Sequence, residues 1–487
     1  MLYRTLVEQA QNLPEYRLIN HLGPRGALLT SNQNSVPGFY TRSGYQQIFL
    51  ARGNDLVQDM LRDNWVLGGN DELSSQDRNR LMLEMEQLYF EDYAGHWVEL
   101  LNRIALDPLP DATQAAQNMS ALAAANSPLV KLLEEVRHNT LLTDETATPN
   151  RAMRSMERRF EPLHQLLDKD ANPGPEMLHA LQAIDAMHGQ FSALAQASVP
   201  GQAAFDMARA RIGGQADAIT QLRSAASRLP QPVAKWLTDL AGDGWMLVLD
   251  ETYKHINQRY RSELFASWRN SVGQRYPFRK DSESEVTLGD FREFFRSRGT
   301  AAQFFDQYLR PFVSSSRGSY HVRQVDGRGL PLSRDLLAQM ARVERIRRSF
   351  FAENPNEPQV QFRLEPFFLD SNLGRASLRI GYQNLEYRHG PIVQTAFRWP
   401  AENEAGRTSL VLEDLGGKRM TLDHNRGVWS LFRLLDELQV DHHSDRDVLL
   451  LKADIGGMRA QYLLHSQRSP NPFDLSLLRG FSLPTRL

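Results

Sequence analysis

The sequence predicts an α+β multidomain chain, with an extended α-helical body followed by a C-terminal β-sandwich containing one helix. Three observations carry this reading. Apolar residues recur at three- and four-residue spacing through most of the first 350 positions. After the breaker run Asn354-Pro355-Asn356-Glu357-Pro358 the period changes to alternation. The last third then carries three blocks rich in aromatics and turn formers: Tyr387-Arg388-His389-Gly390-Pro391, Phe397-Arg398-Trp399-Pro400 and Gly427-Val428-Trp429-Ser430-Leu431-Phe432-Arg433-Leu434-Leu435. The expected domains are a helical body over 1–275 in two subdomains that break near 145–150, a phenylalanine-rich helical domain over 276–358, and a β-sandwich with a terminal tail over 359–487.

The first long helix is expected over about 72–106, where Leu81, Met85, Leu88, Tyr89, Tyr93, Trp97, Leu100, Leu101 and Ile104 share one face. Ser74 or Ser75 is placed to cap it, and Asp107-Pro108-Leu109-Pro110 stops it because proline cannot continue the hydrogen-bond ladder. Further helices are expected over 112–140, 150–169, 175–196, 200–228, 232–241 and 243–271, punctuated by Pro173-Gly174-Pro175, Val199-Pro200-Gly201 and Leu229-Pro230-Gln231-Pro232.

From 276 to 352 the period stays helical. Phe278, Phe291, Phe294, Phe295, Phe304, Phe305, Phe312, Phe350 and Phe351 accumulate there, and Ser333 is the expected cap of a helix with Leu336, Met340, Val343, Ile346 and Phe350 on one face. Beyond the breaker run, half-buried strands are expected around Val360/Phe362/Leu364, Ala376/Leu378/Ile380/Tyr382, Thr395/Phe397/Trp399 and Met458/Ala460/Tyr462/Leu464. Gly416-Gly417 and Ile455-Gly456-Gly457 read as hairpin turns, and Trp429–Leu438 as the one helix of the sandwich.

Composition narrows the function. The 487 residues are 41% hydrophobic and 23% charged, enough for two to four cored domains. With 56 basic against 58 acidic residues the chain presents no global field for nucleic acid or an anionic membrane. The absence of cysteine removes disulfides, thiolate metal sites and cysteine nucleophiles. No window reaches the roughly 18 apolar residues of a membrane span. Leu2-Tyr3-Arg4-Thr5-Leu6-Val7-Glu8 reads like the middle of a helix rather than a signal peptide, so the expectation is a soluble portion of a longer protein.

No phosphate loop, dinucleotide fingerprint, HExxH, GxSxG or EF-hand loop occurs. Asp441-His442-His443-Ser444-Asp445-Arg446-Asp447 crowds metal-type ligands into a connection that lacks rigid support, which favours a solvated loop. Glu413, Asp414, Asp423 and His424 flank the Gly416-Gly417 turn, where paired carboxylates could serve glycoside hydrolysis; an exposed hairpin tip, however, does not raise an acid's pKa. Arg151, Arg154, Arg158 and Arg159, and Arg342, Arg345, Arg347 and Arg348, form basic helix faces without aromatic stacking platforms. They read as solvated faces, some pairing with Glu157 or Glu344. The phenylalanine pairs at 294–295, 304–305 and 350–351 read as core rather than as a lipid surface. No catalytic, cofactor-binding or metal-binding residue is therefore expected.

Residue patterns along nearly the whole chain resemble one family. Val36-Pro37-Gly38-Phe39-Tyr40-Thr41 with Gly44-Tyr45, Trp65-Val66-Leu67-Gly68, Tyr89, Asp92-Tyr93, Trp97 and Ser127-Pro128-Leu129 open the match. Tyr276-Pro277-Phe278, Leu288-Gly289-Asp290-Phe291, Phe294-Phe295, Phe304-Phe305, Tyr308-Leu309, Pro311-Phe312 and Phe350-Phe351 continue it. The three aromatic blocks, Asn471-Pro472-Phe473 and Arg479-Gly480-Phe481 close it. On these residues the chain resembles the periplasmic region of the IcmF/TssM family, the inner-membrane core protein of bacterial type VI secretion systems. Phe481-Ser482-Leu483-Pro484 stands where the family commonly reads Phe-x-Cys-Pro, so no role for a terminal cysteine carries over.

The resemblance implies a non-enzymatic scaffold of the type VI secretion membrane complex, a periplasmic domain of an inner-membrane protein that links this membrane to the outer-membrane lipoprotein TssJ and lines or braces the trans-envelope channel. It also implies contact with TssL and with further copies of itself in a ring. No nucleic acid is implied, and the membrane is met only through N-terminal segments that this chain lacks. Partner-binding residues are expected on loops of 359–487. The competing expectation is a periplasmic carbohydrate-active or peptidoglycan-binding protein.

Overall fold

The computed structural model describes residues 2–30, 35–53, 55, 75–143, 150–401, 406–425, 427–443, 447–466 and 468–487. Trp65-Val66-Leu67-Gly68, the side chains of Ser74 and Ser75, the break near 145–150 and Ser444-Asp445-Arg446 lie largely or wholly outside the described residues. The chain divides into two compact units, Met1–Glu251 and Thr252–Leu487. The division falls within the helix Val233–Arg259.

In the first unit the helix Ser75–Arg103 holds an aromatic core. Tyr89 donates to Phe39 O (2.8 Å) and Trp97 Nε1 to Tyr40 O (2.8 Å), so the buried side-chain donors secure the Phe39–Tyr40 turn. Gly38 and Gly44 permit that turn, because a Cβ on Gly44 would sit 2.2 Å from Gly38 O.

The expected helix over 112–140 is two helices, Ala112–Ala123 and Pro128–Thr140, and Ser127 caps the second by accepting from Leu129 N. The segment 200–228 likewise divides into Pro200–Ile212 and Ala218–Ala226, with Asp217 accepting from Thr220 N. Such caps are worth about 1 kcal/mol each. Conversely, the expected separation of 232–241 from 243–271 does not occur: Val233–Arg259 runs through Gly242 and Gly244, then widens into a π-helical turn at Tyr260–Phe265 and ends with Ala266–Ser271. Gly244 serves close packing rather than termination, since a Cβ there would approach Met187 Cε to 2.7 Å.

The second unit opens with phenylalanine-rich helices. Ser333 caps Arg334–Phe350 as expected, accepting from Leu336 N at 3.1 Å. Strands β1 (Val313–Ser316) and β2 (Ser319–Val322) form a hairpin inside this stretch, where the sequence pattern suggested only helix.

The sandwich follows with β3 (Val360–Leu369), β4 (Leu373–Ile380), β5 (Gln383–Tyr387), β6 (Thr395–Trp399), β7 (Thr408–Asp414), β8 (Arg419–His424), β9 (Gln439–His442), β10 (Val448–Ile455) and β11 (Met458–His465). One antiparallel sheet has the order β6-β3-β11-β10-β9 and the other β8-β7-β4-β5. Alternate residues Val360/Phe362/Leu364, Leu378/Ile380, Leu410/Leu412 and Ala460/Tyr462/Leu464 fill the space between them. The helix Ser430–Glu437 packs against β7, β8 and β9.

The aromatic blocks take a wider role than a sandwich core. Trp399 and Trp429 are buried with ring centroids 4.9 Å apart; Trp429 lies 5.4 Å from Phe291, and Trp399 lies 5.5 Å from Phe350. Trp429 Nε1 donates to Val286 O (2.7 Å), and Arg433 pairs with Glu285 (2.8 Å). These residues join the sandwich to the phenylalanine-rich helices. The tail extends the joint: Phe481 packs on Phe278, Phe294 and Phe295, while Tyr260 donates to Pro484 O (2.5 Å).

Candidate interaction surface at the loop end of the sandwich

Two bulges shape one end of the sandwich. In β3, Pro366 pairs with Tyr462 and Phe368 with Gln461, leaving Phe367 as the extra residue. The inserted residue breaks the alternation, so Phe367 and Phe368 are both exposed, while proline at the bulge withholds a donor that the ladder does not need. In the facing sheet Glu413 pairs with Arg375 and Asp414 with Leu373, leaving Gly374 extra.

Four connections meet at this end. The β3–β4 turn is fixed by Leu415 N donating to Asn372 O (3.1 Å) and by Asp370 N donating to Arg459 O (3.1 Å). His389, in the left-handed region at φ 57, donates through Nε2 to Leu373 O (2.7 Å), anchoring the 388–394 connection. Gln394 donates to Glu365 Oε2 at 2.7 Å. The β7–β8 turn carries Leu415, and the β10–β11 turn is Gly456-Gly457. These connections expose Ile392, Val393 and Leu415, at 54%, 63% and 75%, while β3 exposes Phe367 and Phe368, with the Phe367 ring 5.7 Å from His443. Large apolar side chains on hydrogen-bonded turns form a surface whose burial by a partner is favourable.

The charged residues around this patch are satisfied. Asp370 makes two 3.1 Å bonds to Arg459, whose guanidinium holds the carboxyl below the usual range. Glu413 lies 2.5 Å from Arg375 and 2.9 Å from Arg419, and the Arg375 hydrogen bond is the chief cause of its lowered pKa. This opposes the raised pKa that a general acid needs. Asp414 accepts from Lys418 N within the turn, and Asp423 pairs with Arg407 at 2.8 Å. Glu413, Asp414 and Asp423 thus act as structural ion-pair partners and turn acceptors.

The other sequence candidates are dispersed. Asp441 pairs with Lys452 (2.7 Å), and His442 lies 3.4 Å from Asp474. Among the described residues no group of three or more His, Asp or Glu side chains is placed to hold a metal ion. Arg347 and Arg348 pair with Glu344, whereas Glu157 accepts from Thr143 N and Oγ1 rather than pairing with the arginines of its helix. The phenylalanine pairs are core, with Phe305 alone half-buried. Sequence reasoning expected contact residues on sandwich loops and did not single out Phe367-Phe368, whose exposure comes from a bulge that depends on cross-strand register. Ile392-Val393 after Gly390-Pro391 offered a local signal: apolar residues in a turn segment.

Three models of one protein family match successive parts of the chain: IcmF-related, intracellular multiplication and human macrophage-killing, over 1–141; the type VI secretion protein IcmF helical domain, over 252–355; and the type VI secretion protein IcmF C2-like domain, over 362–468. Among curated proteins, the type VI secretion system component TssM1 of Pseudomonas aeruginosa is 27% identical over 523 aligned positions, spanning 98% of this chain and 47% of that protein. Among solved structures, a chain of a type VI secretion system membrane core complex superposes with a TM-score of 0.73 at 20% identity, covering 100% of this chain and 98% of that one. A chain of a type VI membrane complex gives 0.69 at 20% identity, covering 99% and 92%. At such identity these two likenesses establish the fold.

Proposed function

We propose that the chain, whose successive parts match models of the IcmF family of type VI secretion proteins, is a structural component of the type VI secretion membrane complex. In this reading it is a non-enzymatic periplasmic segment that links the inner membrane to the outer-membrane lipoprotein TssJ, assembles with TssL and with further copies of itself, and braces the channel. The observation that carries the link is the ordered apolar end of the sandwich, where Leu415, Ile392 and Val393 stand exposed among satisfied ion pairs. An apolar centre with a polar rim is the anatomy of a protein docking surface. The carboxylates paired to arginine support the absence of acid–base catalysis.

Calorimetry of the chain with the soluble lipoprotein tests this. Leu415→Glu and Val393→Glu are expected to weaken binding at least tenfold, since each introduces a charge that must be desolvated in the interface. Full affinity in both variants would remove this end from the interface, and no binding by the unaltered chain would remove the partner.

A further inference from the structure

The β1–β2 hairpin is an ordered projection with an unusual turn. Its base is fixed: Phe312 and Val313 are buried, Arg323 N donates to Phe312 O (2.8 Å), and Tyr320 lies 4.7 Å from the Phe305 ring. Every residue from Ser314 to Ser319 is nevertheless exposed. The two turn residues, Arg317 and Gly318, both occupy the left-handed region, with φ of 49 and 79. A turn of this kind favours asparagine or glycine at its first position, and most other side chains there cost about 1 kcal/mol. The β10–β11 turn uses Gly456 and Gly457, both at positive φ. An arginine held where the backbone prefers otherwise points to use of its side chain.

The charge around it is of one sign. A groove of about 860 Å³ beside the hairpin is lined by six arginines, including Arg317, Arg323 and Arg345, against one carboxylate, Glu344. Glu344 is already engaged by Arg347 and Arg348. Arg317, Arg323 and Arg345 make no ion pair among the described residues.

The same unit holds the opposite feature. An open cavity of about 850 Å³ is lined by Asp281, Glu283, Glu285, Asp423, Asp436 and Glu437, with Lys280 and Arg433 as its lysine and arginine. Arg433 engages Glu285, Arg407 engages Asp423, and Tyr276 and Arg479 engage Asp436. Asp281 and Glu283 are exposed and make no ion pair among the described residues. With a net charge of −2, the chain separates its charges into patches rather than carrying an excess of one sign.

We infer that the Arg317 hairpin tip of one copy inserts into the acidic cavity of a second copy. An exposed cationic turn then meets an open anionic cavity, complementary in charge. The two surfaces share no lining residue, so one molecule can use both, and the contact is heterologous: repeated, it produces a ring or an open filament according to the rotation between copies. The inference rests on the reading of the chain as an assembly component and specifies how copies meet.

Sedimentation velocity on the full chain provides the test. Association is expected to rise with concentration and to weaken with salt. Arg317→Glu alone, or Asp281→Arg with Glu283→Arg alone, is expected to weaken it at least tenfold. An equimolar mixture of the two variants is expected to restore it, because the reversed tip meets the reversed cavity while the unaltered pair also remains. Arg317→Gly, which relieves the turn, is expected to keep or raise the melting temperature and lose association. A monomeric unaltered chain at low salt, either reversed variant associating normally, or a folded mixture that fails to restore association would overturn the inference. Lipoprotein binding by Arg317→Glu separates the two claims: it is expected to be unchanged, whereas a shared loss of binding and association would place Arg317 in a different interface and sink this contact.

Discussion

His164 and Trp429 are residues whose environments set measurable energies. The His164 imidazole lies 2.8 Å from Thr140 Oγ1, and burial first, with the Arg137 charge second, pulls its pKa down to about 4. A histidine neutral in the fold but titrating near 6.5 when unfolded contributes stability in full above pH 6.5 and loses it as pH falls towards 4. The expected loss is about 2–3 kcal/mol, after allowing for partial exposure. Urea unfolding at pH 7.5 and 4.5 would show it, and His164→Gln should reduce the pH difference by that amount; an equal difference in the variant would refute the assignment. Trp429→Phe removes the donor to Val286 O and is expected to cost about 1–3 kcal/mol. Chemical denaturation measures it, and an unchanged midpoint would mean that water replaces the indole.

At the scale of elements, the tail behaves as a strap. Phe481, Leu483 and Leu487 are buried, Ser482 N donates to Gln339 Oε1 (3.1 Å), and Leu487 N to Asn257 Oδ1 (3.4 Å). Deletion of 481–487 is expected to lower the melting temperature of the Thr252–Leu487 unit by several degrees, as the loss of three buried apolar side chains at about 1.5–3 kcal/mol each implies. An unchanged melt by circular dichroism would show that the strap is ornamental to stability. Elements with strong local signals were legible from sequence: the cap at Ser333, the alternation through Val360, Phe362 and Leu364, and the glycine turns. Helix ends were less so. Ser127-Pro128 starts a new helix inside a continuous apolar period, whereas the expected break at position 242 falls inside the single helix Val233–Arg259, because glycine occurs within helices as well as at their ends.

For the molecule as a whole, the joint built by Trp399, Trp429 and Phe291 makes the sandwich depend on the helices that precede it. Residues 359–487 expressed alone are expected to expose that joint, bind a hydrophobic dye and melt without a sharp transition, whereas 252–487 should melt cooperatively; calorimetry of the two fragments decides, and a sharp transition for 359–487 would show that the joint is dispensable. The sequence by itself determined the α+β class and the sandwich with its helix, because periodicity, breakers and aromatic blocks are local properties of the chain, and it supplied the family resemblance and, with it, the expectation of contact through sandwich loops. Only the tertiary structure decided that the Trp399 and Trp429 blocks form a joint with Phe291 and Phe350, that a bulge turns Phe367 and Phe368 outward, and that an arginine-tipped hairpin and an acidic cavity exist. Each of these depends on which distant residues are brought into register, and that is set by the packing of layers rather than by any neighbouring residue in the chain.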